Sequence, residues 1–113
     1  MTRFEETLEN YVYYLQKQMN EYWKDSGFTF ADPPTIEKTK GGKRFVKIFR
    51  TEYGLGNIIS SKSIHTFVEK ETGNVYKAAS YKAPELNHVR ANIYDYESLK
   101  NGVGVFGANY IVR

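Results

Sequence analysis

The chain of 113 residues has no cysteine. That absence excludes a disulfide scaffold, a thiolate metal site and a cysteine nucleophile. Histidine is scarce, with only His65 and His88, and their spacing is not that of a helical metal-ligand pair. No Gly-x-Ser-x-Gly elbow is present, and Ser60-Ser61-Lys62-Ser63 reads as a polar turn. No apolar run approaches the ~20 residues that span a bilayer, and the opening residues are too polar for a signal peptide. Asn-x-Ser/Thr glycosylation sites are also missing. These absences point to a cytoplasmic protein with no membrane contact, no cofactor and no catalytic constellation. What remains is typical of one globular domain: 41% hydrophobic, 26% charged and 16% aromatic residues.

Charge is distributed unevenly. Residues 1–37 hold three basic against seven acidic groups, a net −4, and residues 38–113 hold thirteen against six, a net +7. Such asymmetry predicts one electropositive face, suited to phosphates or acidic protein surfaces.

Residues 2–25 read as one helix. Phe4, Leu8, Tyr11, Val12, Leu15, Met19, Tyr22 and Trp23 share one face at helical periodicity, which leaves Tyr13 exposed. Thr2 and Glu5 have capping-box spacing, and Gly27 is placed to end the helix. Residues 28–42, with Pro33 and Pro34, read as an extended connector that closes on a Gly41-Gly42 turn. Lys43–Tyr53 reads as a strand, with Phe45, Lys47 and Phe49 on one face. Ser63–Glu71 and Asn74–Tyr81 read as a hairpin turning at Gly73. Residues 82–102 read as a long loop with a short regular piece near Val89–Tyr94, and Gly102–Arg113 as a last strand. The expected fold is therefore α+β: a long N-terminal helix packed across an antiparallel sheet of about four strands.

Candidate chemistry is sparse. Gly102-Val-Gly104-Val-Phe-Gly107 matches a dinucleotide fingerprint literally. It lacks the βαβ unit and the acidic residue further on, so its glycines are expected to relieve crowding in a strand. Gly41-Gly42-Lys43-Arg44 lacks Walker spacing and reads as a turn. His65 reads as an ordinary half-buried strand residue. Asp95 and Glu97 fall on one side of an extended segment, and with His88 they are the only candidates for acid–base work.

Two segments carry a binding reading. Lys38, Lys40, Lys43, Arg44, Lys47 and Arg50 place six cations in thirteen residues, interleaved with Phe45, Phe49 and Tyr53. Cations neutralise phosphates and aromatic faces stack on bases, so this mixture suits nucleic acid. The plainer alternative is a lysine-protected strand edge whose phenylalanines face the helix. The second segment sets Lys77, Lys82, His88 and Arg90 among small residues and Asn87 and Asn92, where an anion could be cradled. The candidate nucleic-acid or nucleotide site is thus Lys43, Arg44, Lys47, Lys77, Tyr81, Lys82, His88, Arg90, Asn92 and Tyr94, with Tyr81 or Tyr94 stacking.

Gly73, Tyr76 to Pro84, Arg90, Asn92 and Ile93 carry a pattern that resembles a segment of small tailed-bacteriophage proteins. The chain departs from it at Tyr81 and at Glu85-Leu86. The resemblance implies a phage origin and brings no activity with it. Two functional expectations follow. One is a non-enzymatic module that binds nucleic acid. The other is a host-takeover or anti-defence protein that binds a host protein or sequesters a nucleotide signal, with Tyr13 and Tyr14 seating a partner or a second copy of the chain.

Overall fold

The computed structural model describes residues 2–27, 32–39, 41–54 and 58–108. Lys40, the first part of the expected connector and the end of the expected last strand, including Tyr110, Ile111 and Val112, lie outside the described residues. Helix α1 (Arg3–Asp25) forms where the periodicity puts it. The Thr2 hydroxyl accepts from the Glu5 backbone N–H at 3.1 Å, satisfying a donor that the first turn leaves free. Gly27 follows at φ 78°, a left-handed conformation costly for residues with a Cβ. Leu8, Tyr11, Leu15 and Met19 are buried, and Tyr13 is 72% exposed.

The sheet has five strands rather than about four: β1 (Thr35–Lys38), β2 (Phe45–Tyr53), β3 (Ile59–Glu69), β4 (Asn74–Tyr76) and β5 (Ala91–Asn92). They lie antiparallel in chain order. The expected connector contains β1, an edge strand that begins just after Pro33-Pro34, where proline is tolerated. Helix α1 pins it there: Gln16 Nε2 donates to the Pro34 carbonyl at 3.0 Å, and Gln16 Oε1 accepts from the Ile36 N–H at 2.7 Å. The expected Ser60–Ser63 turn is part of β3, paired with β2 as far as Tyr53↔Ile59.

The second hairpin strand stops at Tyr76, five residues short of expectation. Beyond it an Ala78↔Pro84 bridge closes a tight loop of its own. Its backbone bonds, from the Ala79 and Ser80 N–H groups to the Ala83 carbonyl, draw the chain away from β3.

A short helix, α2 (Tyr96–Gly102), occupies what reads as loop, capped by Asp95. The expected last strand is a small hairpin of β6 (Val103–Gly104) and β7 (Gly107–Ala108). The glycines serve close approach, as expected: a Cβ on Gly102 would collide with the Arg90 carbonyl, and Gly107 sits at φ 139° beside the His65 backbone.

Strand alternation gives the sheet two unlike faces. Val46 and Ile48 of β2, Val68 of β3 and Val75 of β4 join α1, Leu99 of α2 and Val103 in one core. Phe45, Lys47 and Phe49 take the opposite face, against the alternative that the phenylalanines face the helix. Phe67 of β3 and Tyr76 of β4 join them, with Phe45 edge-on to both rings. Among the described residues neither helix packs on that outer face.

A buried polar chain ties three elements together. Tyr11 of α1 lies 2.7 Å from Thr66 Oγ1. Thr66 Oγ1 lies 3.1 Å from His65 Nδ1, and His65 Nε2 lies 2.7 Å from the Gly104 carbonyl. A carbonyl only accepts, so the ring proton is on Nε2 and Nδ1 accepts from Thr66, which in turn accepts from Tyr11. His65 is the residue skipped where the β2–β3 register shifts, and it is buried rather than half-buried.

Burial lowers its pKa to about 4, partly offset by the Gly104 bond. The unfolded chain therefore takes up a proton between about pH 6.5 and 4 that the fold refuses. This contribution to stability is full above about pH 6.5 and is lost as the pH falls through that window. The loss is on the order of 3 kcal/mol. Urea titrations should show that fall, and His65→Gln should flatten it; equal slopes in both proteins would contradict the assignment.

Candidate nucleic-acid interface

The β1–β2 turn builds one wall of a groove on the outer face. Gly41 holds φ 83° with no room for a side chain: a Cβ would lie 3.0 Å from both the Phe45 carbonyl and Val46 Cγ2. The Gly42 N–H closes the turn on the Phe45 carbonyl at 3.0 Å. Lys43 and Arg44 are thereby raised on the rim, both exposed.

Arg44 is aimed by its surroundings. Its Nε donates to Glu69 Oε2 at 2.8 Å, and its guanidinium carbon lies 4.9 Å from the Phe45 ring centre. Glu69 also accepts from the Thr72 hydroxyl at 2.6 Å. Thr72, and then Arg44, hold the Glu69 carboxyl below its usual range. Because Glu69 engages Nε, the terminal guanidinium nitrogens donate to nothing among the described residues. They remain available to an anion.

The opposite wall is the loop after β4. Ser80 Oγ accepts from the backbone N–H groups of Lys82 and Ala83 at 3.3 and 3.2 Å, an ST-turn that holds Lys82 at the rim. Lys47 rises from the floor between the walls, its ammonium 4.5 Å from the centre of the Tyr81 ring and 6.0 Å from that of Phe67. The groove has a volume of about 520 Å³, with Phe45 and Phe67 at its base and Lys43, Arg44, Lys47 and Lys82 around it. Two segments that lie nearly forty residues apart in the chain thus supply one cation cluster. Among the described residues no carboxylate pairs with Lys43, Lys47 or Lys82.

Tyr81 is 59% exposed, with its ring centre 5.9 Å from that of Phe49. It is the aromatic face on which a base can stack beside the cluster. Phe49 and Phe67 are buried, with the ammonium groups of Lys62 and Lys47 above them.

The other expected site residues are placed elsewhere. Lys77 is exposed, but it lines a separate cavity with His65 and the β6–β7 hairpin. The Arg90 side chain is 8% exposed and donates to Glu85 Oε2 at 3.0 Å, so it does not converge with Lys82. Asn92 is a structural clamp: its Nδ2 donates to the Thr72 carbonyl and to Asn74 Oδ1, both at 2.9 Å. His88 is exposed on the loop. Tyr94 lies on the helix side, where Arg3 sits 4.5 Å over its ring.

The candidates for acid–base work have structural engagements. Asp95 caps α2, accepting from the Ser98 N–H, and Glu97 pairs with Lys100 at 3.3 Å.

Sequence reasoning missed Lys62, Glu69 and Phe67. Lys62 stands 4.3 Å over the Phe49 ring. The legible signal was the alternation of Lys62 with Ile64, masked by three serines that read as a turn.

A second groove, of about 400 Å³, lies on the helix side and is lined by Tyr13, Tyr14, Tyr94 and Tyr96 with Lys17. Tyr14 and Tyr96 meet edge to face with their ring centres 5.3 Å apart. Burial, and then the neighbouring Tyr96, raise the Tyr14 pKa.

No curated protein and no solved structure matches the chain. One family model does, described as a family of unknown function (DUF7717), over residues 2–103, from the cap of α1 to the first residue of β6. With so much of its length covered, including both walls of the groove, the chain belongs to the DUF7717 family.

Proposed function

We propose that this protein is a non-enzymatic binder of nucleic acid and that the outer face of the sheet is its binding surface. The observation that carries this reading is the groove. Lys43 and Arg44 stand on one wall, Lys82 on the other and Lys47 between them, with the exposed Tyr81 ring alongside. Phosphates supply the complementary charge, and an unpaired base supplies the flat face. The expected nucleotide cradle of Lys77, Lys82 and Arg90 has less support, because Arg90 is engaged by Glu85. The similarity of the Gly73–Ile93 segment to tailed-phage proteins supports a phage origin. In that setting the protein works in the host cytoplasm.

A second reading rests on the tyrosine-lined groove. Tyr13 is 72% exposed and Tyr96 is 56% exposed, and aromatic side chains of this kind anchor protein interfaces. A host protein seated there would make the chain a takeover or anti-defence factor.

The two readings are separable. Labelled oligothymidylate and oligouridylate should bind with a log–log salt slope of about −3, from four cations at ~0.7 each on a single strand. Lys43→Glu with Lys82→Glu should halve that slope and weaken binding at least ~10-fold. Both residues are exposed, so the melting temperature should hold. Absence of binding to either polymer at low salt overturns the first reading. The second predicts a partner retained from a bacterial lysate by the native chain and by the lysine variant. Tyr13→Ala with Tyr96→Ala should lose that partner; equal retention by the tyrosine variant contradicts the second reading.

A further inference from the structure

The cation–aromatic contacts do not end at the groove. From Arg44 over Phe45 they pass through Phe67, which meets both Phe45 and Lys47, to Lys47 over Tyr81, to Tyr81 against Phe49, and to Lys62 over Phe49. Each contact joins the next along one face of the sheet. The line follows β2: the Lys62 ammonium lies over Phe49, four residues beyond Phe45. At ~3.3 Å per residue that distance is roughly 13 Å.

Resting on the nucleic-acid reading, we infer that the binding surface extends past Tyr81 to Lys62, and that its ligand is a single strand of at least about four nucleotides lying along β2. Three observations favour a strand over a free nucleotide or a duplex. Lys62 carries the cation cluster of the groove onward along β2 rather than closing it around one point. A stacked strand advances ~3.4 Å per nucleotide, so roughly 13 Å holds about four. The stacking surface is a single exposed tyrosine ring, which a base can reach only when it is unpaired.

Lys62 is the outer contact of this line. It is exposed, and among the described residues no carboxylate pairs with it. Its ammonium rests over an aromatic face, an attraction that holds the charge on the track without neutralising it. An arriving phosphate draws the ammonium off the ring and outward.

The test is a length series. Oligothymidylates of two, four and eight nucleotides are titrated against the native chain, Lys62→Glu and Lys24→Glu, the last a charge-matched control on α1. In the native chain affinity should rise steeply from the dinucleotide to the tetranucleotide. Lys62→Glu should weaken the octanucleotide about 10-fold and the dinucleotide less than about twofold. Lys24→Glu should change neither, since screening at ~0.1 M salt leaves only charges within about 10 Å effective. Lys62→Gln, which removes the charge without reversing it, should fall between the two if melting shows it folded. Equal affinity for all three lengths, or a Lys62→Glu loss no larger than that of Lys24→Glu, overturns the extension while leaving the groove as a binding site. Failure of every oligonucleotide to bind any form overturns the nucleic-acid reading, and the extension with it.

Discussion

The alternation of β2 decides what this molecule can present. Val46 and Ile48 enter the core under α1, so Phe45, Lys47 and Phe49 must take the other side. A one-residue slip would exchange the two sets, driving Lys47 into the core and stranding two core residues in water. Burial of the aliphatic set on α1 therefore fixes the outer position of the basic and aromatic set. Gln16, by capturing β1, and the Tyr11–Thr66–His65–Gly104 chain, by holding β3 at its register shift, keep that assignment in place.

Large aromatics outside the core have to be covered or occupied. Here the cover is partly lysine. The ammonium groups of Lys47 and Lys62 lie over Tyr81 and Phe49, and the guanidinium of Arg44 over Phe45. Such an arrangement shields apolar surface when the protein is alone and carries positive charge outward. Glu69 adds direction: it takes the Nε of Arg44 and leaves the far end of the guanidinium facing outward. Tyr81 is the exception: it sits within the Ser80 turn and is more exposed than the rings around it.

Much of the fold was legible where periodicity was long. The helix, its cap and its buried face follow from one pattern over more than twenty residues. The division of β2 into two faces was visible in Phe45, Lys47 and Phe49. Two short elements escaped: β1 exists through the Gln16 side chain, and α2 depends on Asp95 as its cap, whereas β5 falls within the short piece expected near Val89–Tyr94. For the site, the run at Lys43–Lys47 was readable from charge and aromatics alone. The assignment of Arg90 and Asn92 was not, since their partners, Glu85 and Asn74, are known only once the loop is folded. Lys62 escaped for a related reason, because its importance comes from the ring across the strand pair.

On the proposed reading, ligand meets the outer face of the sheet and not the helix side. Backbone amide shifts during addition of a short oligothymidylate report that directly. Changes are expected at Lys43 to Phe49, Lys62, Tyr81 and Lys82, with α1 silent along Tyr13 and Lys17. Changes concentrated on α1 and Tyr94, or spread evenly over the molecule, would contradict it.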